Sequence, residues 1–288
     1  MKNEIIVHPG YGKAASTWLQ DEIFAELGAE IYLGKTTKNY PRWILEIIYL
    51  DDATFDRRIN QLRETVRKKT MNKPISIISS EAFTNLGAVH SQARRIRKIF
   101  GQAKIILVLR NPISWIISNY KCSVQFEKFY KRLEDILDYA EKRTPLALEK
   151  RPPFYLPDYF YDETVETYIS LFGLERVLIL RYEDFRENPR EFGQRLEEFT
   201  GVSFPNFEKK SEKRILVSLA DDEIERIRLQ NLYNLFYKQF PSEPKVNLPD
   251  LKNISVENPI LSSATEIKLK NYFKEHCSKY YPELSECD

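Results

Sequence analysis

The first residues with the potential for chemistry lie close to the start of the chain. Lys13 follows two glycines, Gly10 and Gly12, and it is followed within four places by two hydroxyl side chains, Ser16 and Thr17. Glycine lets a backbone turn tightly, and serine or threonine caps the N–H groups at a helix start. Such N–H groups and the helix dipole attract an anion. The stretch therefore predicts a loop that binds phosphate or sulfate.

A strand and a helix must position this loop. The apolar run 5–7 precedes it and is typical of a buried strand, while apolar residues recur at helical spacing from Trp18 to Leu27 before Gly28 ends the helix. By itself the stretch fits an ordinary capped strand-to-helix turn equally well. A Walker A loop would place a hydroxyl directly after its lysine, to reach Mg²⁺. Here Ala14 follows Lys13, and because no carboxylate pair that could hold a metal stands out in the sequence, no metal is expected.

The run 13–18, Lys-Ala-Ala-Ser-Thr-Trp, resembles the Lys-Thr-Gly-Thr-Thr-Trp phosphosulfate loop of sulfotransferases that use 3′-phosphoadenosine-5′-phosphosulfate (PAPS). It departs from the family in having Ala15 where glycine is usual, so the loop must tolerate an extra methyl group near the phosphate. Trp18 matches a position that lies against adenine in the family, although core packing explains it equally well.

A second stretch strengthens the resemblance. After the apolar run 105–109, the chain continues Arg110-Asn111-Pro112 and reaches Ser118 about two helical turns later. This looks like the family's Leu-Arg-Asn-Pro-x-x-Arg-x-x-Ser-x-Tyr motif, which holds the 3′-phosphate. An arginine can bind a phosphate through two parallel hydrogen bonds. Trp115 stands where the family commonly has a second arginine, which removes one charge. A surface ion pair is the alternative for Arg110 alone.

The resemblance implies the following nucleotide-binding residues: Gly12, Lys13, Ala14, Ala15, Ser16, Thr17 and Trp18 for the 5′-phosphosulfate side, and Arg110 and Ser118 for the 3′-phosphate. It implies PAPS as co-substrate, released as adenosine 3′,5′-bisphosphate (PAP). Lys13 would neutralise the charge on the leaving oxygen.

Glu81 is the candidate general base. The run 75–78 predicts a strand that ends in Ser79-Ser80-Glu81, and this resembles the stretch that supplies the base in carbohydrate-type sulfotransferases. A half-buried carboxylate can accept the proton of an attacking hydroxyl. Alternatively, Glu81 caps the next helix or pairs with Lys13. His8, beside the loop, is a further catalytic candidate, and His90 is the other alternative.

Four predicted strands, near residues 4, 75, 104 and 177, each precede a helical pattern. This favours an α/β fold of three layers, with a central parallel sheet and a P-loop-like strand-loop-helix. The run 181–185, Arg-Tyr-Glu-Asp-Phe, again resembles the family, and we expect Tyr182 and Glu183 to fasten a strand end near the phosphate loop.

One domain is predicted over residues 1–288. Within it, residues 121–165 are rich in aromatic side chains and form either an acceptor-covering insertion or a small helical subdomain, and residues 202–288 are helical. The resemblance weakens beyond Gly201, where the family closes the 3′-phosphate pocket with Arg-Lys-Gly. A solvated loop or a substitute set of basic residues is expected there: Lys209, Lys210, Lys213 and Arg214.

Composition limits the partners. The chain has 44 basic and 42 acidic residues, so its net charge of +2 predicts no nucleic-acid partner. Its three cysteines form no Cys-x-x-Cys pair, and no apolar run approaches the length of a membrane span, which together predict a cytoplasmic protein.

We therefore expect transfer of a sulfuryl group from PAPS to a hydroxyl, or as a second choice an amine, of a glycan or glycolipid. Other small-molecule acceptors and the oligomeric state stay open. A P-loop kinase and a non-catalytic nucleotide-binding module are the alternatives.

Overall fold

Four parallel strands form the centre of the fold. A computed structural model describes residues 3–35, 39–84, 89–140, 154–213, 219–239 and 260–285. The strands are β1 Glu4–His8, β2 Ile75–Ser79, β3 Lys104–Leu109 and β4 Val177–Arg181. They pair in the order β2-β1-β3-β4, and every pairing is parallel. The predicted strands and the α/β class are confirmed.

The strands are apolar because helices flank the sheet. Every residue of β3 from Ile105 to Leu109 is fully buried, which is typical of a parallel strand covered on both faces. The α-helices of the compact unit that contains the sheet are Ser16–Trp18, Arg42–Tyr49, Asp52–Thr70, Val89–Phe100, Tyr161–Phe172, Tyr182–Glu187, Pro189–Thr200 and Phe207–Ser211.

The helix after the first loop is irregular. Its α-helical start, Ser16–Trp18, continues as a π-helical stretch, Leu19–Phe24, and as a 3₁₀ turn, Ala25–Leu27. Gly28 then leaves the helix with φ +66°, a left-handed value that glycine adopts without steric cost. The predicted helix end at Gly28 is confirmed.

The chain folds as two compact units. The first comprises Met1–Asn111 and Tyr161–Ile215 and holds the sheet, and the second comprises Pro112–Phe160 and Leu216–Asp288. Helices of the second unit are Pro112–Phe126, Leu133–Ala140, Asp221–Gln239 and Ser263–Cys277, with 3₁₀ turns at Leu156–Tyr159 and Pro282–Ser285. The single domain expected over the chain stays a prediction.

Aromatic side chains build the interior of the second unit. Trp115 is 3% exposed, and its ring lies 3.9 Å from that of Tyr159 and 6.0 Å from that of Phe154. The residue that replaces the family's second arginine is therefore a core residue. The aromatic segment expected over 121–165 includes residues 141–153, which lie outside the described part of the chain.

Candidate active site

The loop between β1 and the first helix has a left-handed backbone at two non-glycine residues. Lys13 has φ +65° and Ala15 has φ +60°. This conformation costs a residue with a β-carbon roughly 1–2 kcal/mol, whereas glycine adopts it freely. The backbone thus gives a physical reason for the glycine that the resembling loops carry where this chain has Ala15.

Contacts on several sides hold this loop in place. Ser16 Oγ donates a hydrogen bond of 2.7 Å to the carbonyl of Tyr11, and Thr84 Oγ1 donates one of 2.7 Å to the carbonyl of Gly10. The Tyr11 ring meets the edge of Tyr161 at 5.3 Å. A β-carbon at Gly10 would lie 2.2 Å from Ser16 Oγ, so only glycine fits there.

The predicted capping role of Ser16 and Thr17 is wrong. The N-cap position belongs to Ala15, and no side chain caps the helix there. Ser16 is buried and uses its hydroxyl hydrogen on the loop itself. Thr17 Oγ1 instead donates a hydrogen bond of 3.0 Å to Glu81 Oε1. The two hydroxyls therefore have different hydrogen-bond partners, the first within the loop and the second on Glu81.

Glu81 stands directly beyond β2, next to the loop, since His8 at the end of β1 is paired with Ser79 at the end of β2. Thr17 holds its Oε1, and none of the described residues donates a hydrogen bond to its Oε2. Burial raises the pKa of Glu81, while the hydrogen bond from Thr17 and the charge of Lys13 lower it. Among the described residues, the carboxylate is thus held by a hydrogen bond at one oxygen, Oε1.

His8 lies beneath the loop, fully buried. Its Nδ1 lies 2.8 Å from Ser79 Oγ, which also accepts a hydrogen bond of 3.0 Å from Gln20 Nε2. Ser79 is best satisfied if it donates to Nδ1, and this assigns the histidine proton to Nε2. Nε2 has no hydrogen-bond partner in the described part of the chain. Burial lowers the pKa of His8 to about 3, so the ring is neutral at physiological pH.

Arg110 joins the end of β3 to the phosphate loop. Its Nη1 donates a hydrogen bond of 2.7 Å to the carbonyl oxygen of Lys13, and its guanidinium lies 4.6 Å from the ring centre of Tyr182. The backbone N–H of Asn111 donates a bond of 3.0 Å to Glu183 Oε1. The expectation that Tyr182 and Glu183 fasten a strand end near the loop is confirmed.

This arrangement lies at a crevice that parallel sheets use for ligands. The chain leaves β1 toward β2 on one side and leaves β3 toward β4 on the other, so the connections diverge between β1 and β3. Ligands of open α/β sheets bind at such a divergence, outside the carboxyl ends of the strands. Lys13 and Arg110 meet there. The donor set, a lysine and an arginine beside a glycine-containing loop, fits a doubly phosphorylated nucleotide.

Comparison with known proteins identifies the family. A family model described as a sulfotransferase domain matches residues 9–286, nearly the whole chain. The chain belongs to the sulfotransferase family. It is a PAPS-dependent enzyme that transfers a sulfuryl group. The kinase and the non-catalytic module are thereby set aside.

One of the similar solved structures shares the fold of this sulfotransferase, with a TM-score above 0.5. A sulfotransferase from Alicyclobacillus acidocaldarius is 18% identical, with a TM-score of 0.52, over 82% of this chain and 96% of that one. A mouse sulfotransferase complexed with PAP is 13% identical, with a TM-score of 0.49, over 99% of this chain and 89% of that one. A search of curated protein sequences found no match.

Trp18 is only 5% exposed in this sulfotransferase. Its ring packs 4.6 Å from Phe185 and 5.1 Å from Phe207, and its Nε1 donates a hydrogen bond to the carbonyl of Lys210. These contacts account for Trp18 as a core residue, which was one of its two expected roles. The adenine contact stays a prediction.

Two of the basic residues beyond Gly201 pair with acidic residues of the first helix. Lys210 forms an ion pair with Glu26, and Lys213 Nζ lies 2.6 Å from Glu22 Oε1. Lys209 is exposed, and Arg214 lies outside the described residues. Whether this segment closes the 3′-phosphate pocket stays a prediction.

Two further predicted residues lie on helices, Ser118 on Pro112–Phe126 and His90 on Val89–Phe100. Ser118 is half-buried on the helix Pro112–Phe126 of the second unit, and its contact with the 3′-phosphate stays a prediction. His90 Nδ1 lies 2.7 Å from Thr167 Oγ1, and because Thr167 already donates to the carbonyl of Glu163, His90 is the donor. His90 thus joins two helices.

Sequence reasoning missed the residues that support the site. Tyr11 and Tyr161 anchor the loop and the end of β3, and Tyr161 donates a bond of 2.7 Å to the carbonyl of Arg110. Gln20 completes the contacts of Ser79. No sequence pattern marks them, since their partners are up to 150 residues away. Their one general feature is that a buried tyrosine usually has a hydrogen-bond partner for its hydroxyl group.

The described part of the chain contains neither a group of metal-ligating side chains nor a membrane-spanning helix. In that part of the chain no three His, Cys, Asp or Glu side chains gather closely enough to hold a metal ion. Nor does any helix there combine the length and apolar character needed to cross a bilayer.

Proposed function

We propose that this sulfotransferase moves the sulfuryl group of PAPS to a hydroxyl of a glycan or glycolipid, with an amine as the second choice of acceptor. One observation carries the proposal: hydrogen bonds tie the phosphate loop to both neighbouring strand ends. They join Thr17 to Glu81 at 3.0 Å and Arg110 to the Lys13 carbonyl at 2.7 Å. A base, a cation and an anion-binding loop therefore share one edge of the sheet.

In the proposed complex, the backbone N–H groups of residues 12–17 and the side chains of Lys13 and Thr17 hold the 5′-phosphosulfate. Arg110 and Ser118 hold the 3′-phosphate. Ser16 contributes by shaping the loop, because its hydroxyl hydrogen is bonded to the Tyr11 carbonyl. Ala14 and Ala15 contribute their backbone.

The reaction is an in-line displacement at sulfur. The acceptor oxygen forms a bond to sulfur while the bond from sulfur to the bridging phosphate oxygen breaks, and PAP leaves. Lys13 stabilises the negative charge that develops on that bridging oxygen. A fixed donor aimed at developing charge typically contributes about 10²–10³ in rate.

Glu81 takes the proton of the acceptor hydroxyl on Oε2, the oxygen to which no described residue donates. Burial raises its pKa, which makes it a stronger base than an exposed glutamate. His8 is the weaker candidate because a pKa of about 3 leaves it with little affinity for a proton. His90 is engaged with Thr167 on a neighbouring helix.

Support for a glycan acceptor comes from Glu81 rather than from the aromatic segment. The Ser-Ser-Glu run after β2 resembles that of carbohydrate-type sulfotransferases. Phe154, Tyr159 and Tyr161, by contrast, are buried in the protein interior, and their faces are used for packing.

A screen with ³⁵S-labelled PAPS tests the proposal. The enzyme is incubated with matched panels of sugars, glycolipids, phenols, sterols and amines, and transfer of label and release of PAP are measured together. Glu81→Gln serves as the control, because it retains the shape of the site and lacks the base. Transfer to sugars or glycolipids that disappears in Glu81→Gln supports the proposal. Labelling confined to phenols or sterols contradicts the acceptor class.

A further inference from the structure

Two partners compete for the hydroxyl hydrogen of Thr17. A threonine hydroxyl has one hydrogen and donates it to one acceptor at a time. In the structure the hydrogen goes to Glu81 Oε1, at 3.0 Å. In the proposed complex the same hydroxyl faces the phosphosulfate. The neighbouring Ser16 cannot replace it, because its own hydrogen is bonded within the loop.

We propose that Thr17 couples donor binding to the base: without PAPS its hydroxyl is bonded to Glu81 Oε1, and when PAPS binds it turns to the phosphosulfate, which makes the carboxylate a stronger base for the acceptor proton at Oε2. This inference rests on the proposed function, and it makes Thr17 a positioning residue for Glu81 as well as a ligand of the donor.

The groups around Glu81 determine whether loss of the Thr17 bond raises or lowers its pKa. Burial raises the pKa of Glu81, and the hydrogen bond from Thr17 is the largest influence that lowers it; Lys13 and Lys35 lower it further, and Asp21 raises it. The hydroxyl of Tyr40 also lies close, near Ser80 and the Glu81 backbone. Loss of the Thr17 bond therefore raises the pKa of Glu81.

The consequence is ordered catalysis. Before the donor binds, the hydrogen bond from Thr17 holds Oε1 and makes Glu81 a weaker base. After the donor binds, its basicity is greater, at the moment when an acceptor proton must be removed. Without this hydrogen bond, the carboxylate would bind protons or cations before the donor is present, when no acceptor proton has to be removed.

The test is the pKa of Glu81, measured by NMR titration of ¹³C-labelled glutamate, with and without saturating PAP. Glu81→Gln identifies the signal. The variants are Thr17→Val, which keeps the shape without the hydroxyl, and Thr17→Ser, which keeps the hydroxyl. Thr17→Ala replaces Thr17→Val if the latter does not fold.

In the wild type and in Thr17→Ser, PAP should raise the pKa through both the phosphate charge and the lost hydrogen bond. In Thr17→Val without PAP, the pKa of Glu81 should be higher than in the wild type. Its rise on PAP binding should be smaller than in the wild type, by roughly 2- to 10-fold in the protonation constant, which corresponds to one ordinary hydrogen bond.

Equal rises in the wild type and in Thr17→Val would overturn the coupling, and so would equal starting values without PAP. Neither result touches the proposed function, which is tested separately by the turnover of Glu81→Gln. If Glu81→Gln turned over normally, the assigned base would be wrong whatever Thr17 does.

Discussion

The two strand ends that flank the crevice are built differently. After β1 the chain makes a long loop with left-handed residues at Lys13 and Ala15. After β3 it makes almost no loop, because only Arg110 and Asn111 separate Leu109, the last residue of β3, from the helix Pro112–Phe126. The first end supplies backbone N–H groups and a lysine, and the second supplies one arginine.

Different forces hold the two ends. The loop after β1 depends on tight packing around Gly10 and on the bond from Ser16 to Tyr11. The end of β3 depends on directed polar contacts: Arg110 with the Lys13 carbonyl, and Asn111 with Glu183. The loop after β1 therefore depends on its backbone conformation, whereas the end of β3 depends on the orientation of side chains. The difference predicts different responses to mutation.

Lys13→Ala should have the largest effect. Turnover should fall by about 10²–10³-fold, because the leaving oxygen loses its charge partner. PAP should still bind detectably, since the backbone of the loop is unchanged. Release of PAP and calorimetric titration with PAP measure the two quantities. Lys69→Ala, on the helix Asp52–Thr70, controls for loss of one positive charge. Near-normal turnover of Lys13→Ala would show that the assigned role is wrong.

Arg110→Lys should weaken PAP binding by roughly 10- to 100-fold, because lysine keeps the charge but loses the fork that reaches both an anion and the Lys13 carbonyl. Calorimetric titration with PAP measures the loss. Arg94→Lys, at an exposed position on the helix Val89–Phe100, is the matched control and should bind PAP normally. Equal affinity in both variants would contradict a nucleotide role for Arg110.

Gly10→Ala should destabilise the protein by about 1–3 kcal/mol, because the new methyl group would overlap Ser16 Oγ and approach His8 Cε1. Urea unfolding measures the change. In the double variant Gly10→Ala/Ser16→Ala the overlap with the hydroxyl is absent, so part of the stability should return. An unchanged midpoint for Gly10→Ala would refute the packing account of this loop.

Acid should lower the stability of the folded protein because His8, beneath the loop, is buried as a neutral side chain. Its folded pKa of about 3 lies below the ordinary 6.5, so below pH 6.5 the unfolded chain binds a proton that the folded chain excludes. Stability should therefore fall with decreasing pH by up to about 1.4 kcal/mol per pH unit in this window. Urea unfolding from pH 7 to pH 5 measures the slope, and His8→Gln, which does not titrate, should show a shallower one. Identical slopes would mean that the histidine is protonated in the folded protein.

Ala15→Gly should have the smallest effect and the opposite sign. Glycine removes the cost of a left-handed backbone, which stabilises the folded protein by roughly 1–2 kcal/mol. It also gives the unfolded chain more conformational freedom, which destabilises the folded protein by about 0.4–1 kcal/mol. A net gain of about 0.5–1 kcal/mol is expected in urea unfolding. Asn72→Gly, at another position with positive φ, should change less because asparagine tolerates this conformation. A loss of stability in Ala15→Gly would show that the φ at this position is relaxed in solution.

Much of the fold followed from local pattern. Apolar runs near residues 4, 75, 104 and 177 identified all four strands, because strands buried on both faces must be apolar throughout. Local pattern was misleading for Ser16 and Thr17. Both suit a helix cap by residue type, yet the cap position falls on Ala15, since the left-handed loop shifts the register of the helix start.

The sequence by itself determined which residues reach the crevice, because the order of strands, motifs and turns along the chain delivers Lys13, Glu81 and Arg110 to one edge of a parallel sheet. Only the tertiary structure decided how each is used. The partner of Thr17 is 64 residues away and that of Arg110 is 97 residues away. A hydrogen bond over such a separation depends on the packing of side chains, which no local pattern encodes.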